Sequence, residues 1–176
     1  VLDMYISDMQ IYAIALNRKQ SVPDARDGLK TVDRRVITDM YFDKHLTYDK
    51  NYIKSAGTVG STMEKYHPHG DSSIYDVLVK LACWWKTKIP LIAGHGNFGN
   101  MQGDGAAAMR YTESKLSEFC CDAVIADLQK SKDIVDWVPN FDESAMEPEY
   151  LPCKVPLLLI NGTFGIGIGM RAEISR

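Results

Sequence analysis

An arginine stands directly before a tyrosine at Arg110-Tyr111, after a glycine-rich loop and ahead of Thr112-Glu113. In an arbitrary protein a tyrosine so placed is a buried ring at a helix start. A free phenol titrates at about 10 and is mostly protonated at pH 7. A guanidinium beside it favours the phenolate and can stabilise charge on an attacked phosphate. The pair therefore suits an oxygen nucleophile. A second constellation is cationic: Arg18, Lys19, Arg26, Lys30, Arg34 and Arg35 fall within 18 residues. Such a cluster reads as a phosphate-binding face, or as a merely solvated basic face. A third is His67-Pro68-His69. No third ligand sits at zinc spacing, so phosphate donation or turn packing fits it better than a metal clip.

Gly94-His95-Gly96-Asn97-Phe98-Gly99 satisfies GxGxxG after an apparent strand. A dinucleotide site needs a helix to start there. Here the loop runs on through Gly103 and Gly105, and no Walker lysine follows, so a nucleotide-binding loop is rejected.

The elements that must carry these residues follow from periodicity. Tyr5, Met9, Tyr12 and Leu16 put one apolar face on a helix over 4–19, which Pro23-Asp24 stops. Leu29, Val32, Val36, Ile37 and Met40 mark a second helix, with Lys30, Asp33 and Arg34 on its opposite face. Residues 54–65 read as a short third helix, weakened by Gly57 and Gly60. After the HPHGD turn, Asp71 or Ser72 caps a fourth, with Ile74, Val77, Leu78, Leu81 and Trp85 as its stripe. Two helices joined by a short glycine turn form a helix-turn-helix pattern. Residues 90–93 read as a strand. Thr112 is expected to cap another helix, with Leu116, Phe119, Cys120, Ala123 and Leu128 inward. From Asp133 the chain reads as acidic and β-like, and 155–170 as strands with a tight bend.

The 176 residues suit one domain, or one plus part of a second. At 45% hydrophobic and 24% charged the chain is globular in composition. Its apolar runs are far short of the roughly 20 residues of a membrane helix, and no secretory signal opens it. It reads as a fragment at both ends. Four cysteines without paired spacing read as reduced, mostly buried thiols of a cytosolic protein. The net charge of −3 argues against a nucleic-acid binder. The distribution reverses that: residues 1–110 carry 14 Lys and Arg against 12 Asp and Glu, and residues 111–176 carry 6 against 11.

PDARDGLK (23–30) with DRR (33–35), KYHPHGDSSIYD (65–76), GHGNFGNMQGD (94–104), AAAMRYTE (106–113) and LLINGTFGIGIGM (158–170) occur in that order. Together they closely resemble the breakage-reunion (A) subunit of bacterial type IIA topoisomerases, DNA gyrase and topoisomerase IV. The resemblance spans nearly the whole chain. It implies an α+β fold: an N-terminal helical arm (1–22), a winged-helix, CAP-like DNA-gate domain (23–145), and the start of a tower domain (146–176). It implies that Tyr111 attacks a DNA phosphodiester to leave a 5′-phosphotyrosyl link and a free 3′-hydroxyl, with Arg110 assisting. Arg26, Lys30, Arg34, Arg35, His67 and His69 would contact DNA phosphates, and Ile166 would wedge between bases. Ser72 and Asp76 match positions that bind quinolone drugs through a water–metal bridge. Mg²⁺ would sit on the TOPRIM domain of a B-type partner, which would also hydrolyse ATP. The assembly implied is a homodimer within an A2B2 heterotetramer on double-stranded DNA, cytoplasmic and nucleoid-associated.

The sequence departs from the family pattern at several points. KQSVPD replaces GRALPD, so Gln20 stands for an arginine. Asp33 stands for His or Gln, Gly57 for another arginine, Phe164 for a small residue, and RAEISR follows Met170. Two other readings stand beside the main one: a winged-helix binder with no chemistry that reads the major groove with helix 72–86, and an inactive homologue that only docks on a B-type subunit.

Overall fold

The computed structural model describes residues 2–175, with side chains except those of Leu2, Asp3 and Lys19. Helix α1 (Leu2–Leu16) forms as the periodicity predicts. Its expected stripe does not pack: Tyr5, Met9 and Tyr12 are exposed. Past Leu16 the chain widens through Asn17–Ser21, where the Val22 N–H closes on the Asn17 carbonyl at 3.0 Å.

The body is built on α2 (Thr31–Thr38), α3 (Ser55–Lys65) and α4 (Asp71–Ala82). Val36, Ile37 and Met40, Val59, and Ile74, Leu78 and Leu81 meet in one core. The opposite face of α2 departs from expectation: Asp33 and Arg34 are buried, each against an opposite charge. Gly70, not Asp71 or Ser72, takes the cap position of α4; Asp71 lies in its first turn. The helix ends at Ala82, so Trp85 lies beyond it.

A three-stranded antiparallel sheet flanks the helices in the order β1 (Ile53–Lys54), β3 (Glu113–Leu116), β2 (Ile92–His95). The expected helix at Thr112 is therefore a strand first. Ser114 and Leu116 point inward and Glu113 and Lys115 outward, the alternation of a half-buried strand. Helical turns follow over Cys120–Ile125 and α5 (Ala126–Lys130), with Cys120, Cys121 and Leu128 buried.

The hairpin β4 (Trp137–Pro139) and β5 (Met146–Pro148) spans the expected division at 145/146. Leu151, and Leu157 of α6 (Leu157–Asn161), lie in the same core as the helices. The chain from 146 to 157 thus packs with the body before it. A second hairpin, β6 (Thr163–Gly167) and β7 (Met170–Ile174), ends the described chain. Among the described residues no helix is long and apolar enough to cross a membrane.

Candidate active site

Tyr111 lies on the approach to β3, and its side chain is out in solvent at 62% exposure. It is not the buried ring that a tyrosine so placed is in an arbitrary protein. Its backbone, by contrast, is held on both sides. The Ser55 N–H donates to the Thr112 carbonyl at 2.9 Å and the Ala56 N–H to the Met109 carbonyl at 3.1 Å. These are amides of the first turn of α3, which have no partner within their own helix. The Tyr111 N–H donates to the Ala108 carbonyl at 2.8 Å. Thr112 is fully buried, with its hydroxyl among those of Ser55 and Tyr75.

The glycine loop closes over the same backbone. Gly96 adopts φ +111°, and a Cβ there would stand 3.7 Å from the Tyr111 carbonyl and 3.5 Å from the Thr112 Cα. The left-handed backbone, more than the space, calls for glycine. The Ala107 N–H donates to the Asn97 carbonyl at 2.9 Å, tying the far side of the loop down.

The Arg110 guanidinium lies over the Tyr111 ring, 4.7 Å from its centroid. The cation is held against the ring face. Beyond Tyr111, Glu113 accepts from Lys54 at 2.7 Å and pairs with His95 at 3.1 Å. Lys54 and then His95 lower its carboxyl below the usual range. Among the described residues no three His, Cys, Asp or Glu side chains converge as a metal site, and the nearest carboxylate in sequence is already neutralised. The residues beside Tyr111 do not fit a metal cage.

The cationic cluster forms a groove of about 1270 Å³, lined by Arg18, Arg26, Arg34, Arg35, His67 and His69. Tyr111 is not part of that lining. The cluster is not a free basic face. Arg34 is only 8% exposed and donates through Nε and Nη2 to the fully buried Asp27 at 2.7 and 3.1 Å. Asp27 also accepts from the Leu29 and Leu151 N–H groups, so this pair ties the 24–29 loop to the chain after β5. Arg35 forks onto Glu147 at 2.7 and 2.6 Å. Arg26 pairs with Asp24 and Glu149 and lies over the Tyr150 ring. The hydrogen bond from Arg26 to Asp24, opposed by a small desolvation, raises the Arg26 guanidinium above its usual range. Lys30 lines a separate cavity of about 470 Å³ with Lys80 and Lys86. Burial lowers its ammonium, with Asp33 opposing.

His67 and His69 sit edge to face with ring centroids 4.6 Å apart. Arg35 Nη1 lies 3.1 Å from His67 Nδ1. A guanidinium only donates, so Nδ1 accepts and the ring's proton sits on Nε2. Burial, then Arg35 and His69, pushes His67 down to about 4. It is neutral at pH 7 and can offer Nε2–H to a phosphate without being charged.

Ile166 is 68% exposed on β6. The other face of that strand carries Gly165 and Gly167. A Cβ on Gly165 would meet the Ser21 carbonyl at 2.2 Å, so only glycine lets the hairpin lie so close to residues 17–21. Asn17, which sequence reasoning passed over, clamps Ile168: its amide donates to the Ile168 carbonyl at 2.9 Å and accepts from the Ile168 N–H at 2.8 Å. Ser72 and Asp76 are both exposed, one turn apart on α4.

Residues 20–176 match the family model for the A protein of DNA gyrase/topoisomerase IV. The chain belongs to that family. The DNA gyrase A protein of Aminobacterium colombiense is 50% identical over 163 residues, 93% of this chain and 20% of the relative. Those of Deinococcus deserti and Streptococcus pneumoniae are 48% and 46% identical over the same length. The chain spans about a fifth of the length of these relatives. Two residues of this family member carried no sequence signal for their structural roles. Asp27 is seven positions from its guanidinium partner, and the Asn17 clamp spans 151 positions.

Proposed function

We propose that this gyrase-family chain is the DNA cleavage-rejoining part of a type IIA topoisomerase, with Tyr111 as the nucleophile. The observation that carries the reading is an exposed phenol on a backbone pinned at both ends, with a guanidinium over its ring. A nucleophile must reach a phosphate in solvent while its approach is fixed beforehand. The Tyr111 oxygen bonds to phosphorus, and the bond from phosphorus to the 3′ oxygen breaks. The phenol gives up its proton, and the departing 3′ oxygen takes one up. The phosphodiester energy stays in the new link, so the 3′-hydroxyl can attack it and restore the strand without ATP. Arg110 steadies the charge on the phosphoryl oxygens.

In this reading α3 and α4 are the helix-turn-helix of a winged-helix DNA-gate domain and β2–β3 with the glycine loop its wing. The chain beyond leads into the tower. Arg26, Lys30, Arg35, His67 and His69 contact phosphates, Ile166 is the wedge, and Ser72 with Asp76 forms the quinolone-type inhibitor contact. Arg34 supports the Asp27 loop rather than meeting a phosphate directly, because its guanidinium is buried against a fully buried carboxylate, whereas Arg35 and Arg26 are more exposed. Mg²⁺ and ATP belong to a B-type partner, with two copies of each protein gathered on duplex DNA in the cytoplasm.

Tyr111→Phe tests this in the full-length protein reconstituted with such a partner, Mg²⁺ and supercoiled plasmid. Duplex binding should stay near wild type while the covalent protein–DNA adduct disappears. An adduct that survives overturns the reading. Unchanged binding with no adduct in the wild type leaves only a DNA-binding module.

A further inference from the structure

We propose that the Tyr75 hydroxyl, carried by α4, is a positioning group for Tyr111, a proposal that rests on Tyr111 being the nucleophile. The Tyr75 hydroxyl donates to the Ala107 carbonyl at 2.6 Å and lies 2.9 Å from the Thr112 hydroxyl. Ala107 and Thr112 are the two feet of the arch that holds Arg110 and Tyr111. One phenol thus spans both feet.

A carbonyl only accepts, so the single Tyr75 proton goes to Ala107. The Thr112 hydroxyl donates to that of Ser55, 2.9 Å away on the first turn of α3, and Ser55 donates to Ser114 at 3.4 Å. The Tyr75, Thr112 and Ser55 oxygens thus form one hydroxyl chain beneath the arch. Ser55 and Thr112 are fully buried, and Tyr75 is half-buried. A hydroxyl lost from this chain leaves its neighbours unpaired with little water to replace it. The same arch is held by the Ala56 N–H on Met109 and by the Asn97 carbonyl on Ala107. Those are backbone bonds. Tyr75 is the side chain that ties α4 to both ends, and so sets how far the Tyr111 ring reaches from the surface.

Tyr75→Phe keeps the ring and removes only the oxygen. In the full-length protein with its B-type partner and Mg²⁺, the rate of adduct formation at saturating duplex should fall by about 10- to 100-fold, the scale of a sub-ångström to 1 Å misplacement. The duplex Kd should change little, and Tm should fall by only the few degrees that the lost hydrogen bonds cost. Thr112→Val should lose a similar amount, and Thr112→Ser should recover most of what valine loses. The double variant Tyr75→Phe/Thr112→Val should be no slower than the worse single one, because the two act through one chain. A rate for Tyr75→Phe within twofold of wild type overturns the proposal. So does a loss of rate, Kd and Tm together, or full additivity in the double variant. The parallel Tyr111→Phe sample separates the two levels: an adduct surviving there sinks the nucleophile assignment, whereas its loss there with a normal Tyr75→Phe sinks only the positioning role.

Discussion

Removing the Arg34 guanidinium would strand Asp27 as a buried, unpaired carboxylate. Breaking a buried pair from one side costs about 3–5 kcal/mol. Arg34→Ala should lower the unfolding free energy by that amount in a denaturant titration, and a loss under about 1 kcal/mol would contradict it. Arg26 is partly exposed, so Arg26→Ala should cost no more than about 1 kcal/mol in the same titration. Sequence reading put both arginines on one basic face. Residue type speaks of charge, but it is silent on whether a buried Asp27 or a more exposed Asp24 and Glu149 already hold that charge. His67 gives a pH test. Its folded value of about 4 lies below the 6.5 of the free ring, so as pH falls the unfolded chain takes the proton first. Its contribution to stability is full above about 6.5 and is lost as pH falls towards 4. Asp39, raised by burial to about 6, works the other way in nearly the same window. The difference in stability between wild type and His67→Gln should therefore isolate the histidine, with the gap closing as pH falls from about 6.5 to 4. A pH-independent gap would contradict the buried neutral ring.

At the scale of elements, α2 and α4 were legible because each carries a core stripe at helical spacing, whereas α3 buries Ser55, Thr58 and Thr62 beside Val59 and leaves Met63 exposed. The strand β3 was not. Glu113–Leu116 is only four residues long, and its conformation is fixed by pairing with Ile53–Lys54 and Ile92–His95, 18 or more positions away. Thr112 looks like a helix cap in isolation, whereas its hydroxyl is used by Tyr75 and Ser55. The stripe on α1 was legible as a helix, but periodicity alone cannot say whether a face packs. Residues 155–170 read as strands with a tight bend, but Leu157–Asn161 is helical and the hairpin runs over Thr163–Ile174, docked through Asn17. Asn17→Ala removes two hydrogen bonds of about 1 kcal/mol each. The Ile168 amide should then exchange with solvent about tenfold faster or more. Exchange unchanged at Ile168 would mean that the glycine contacts alone seat the hairpin.

Across the whole molecule, the net charge is −3 and the cations of the groove are mostly paired. On the proposed function, duplex has to compete with Asp24, Glu147 and Glu149 for Arg26 and Arg35. Affinity should still fall as salt rises, since each phosphate contact releases counterions. Lys30→Ala and Arg26→Ala should each flatten the log–log salt slope by about one. Arg34→Gln, provided it folds, should leave the slope alone. An equal effect from Arg34 would put that guanidinium back among the phosphate contacts. The catalytic assignment is tested most directly by stopping the holoenzyme during turnover with denaturant, digesting it, and sequencing the peptide that retains nucleotide. That peptide should contain residue 111 with the nucleotide on the tyrosine oxygen through a 5′ phosphate. A nucleotide carried by any other residue, or a link through a 3′ phosphate, would contradict it.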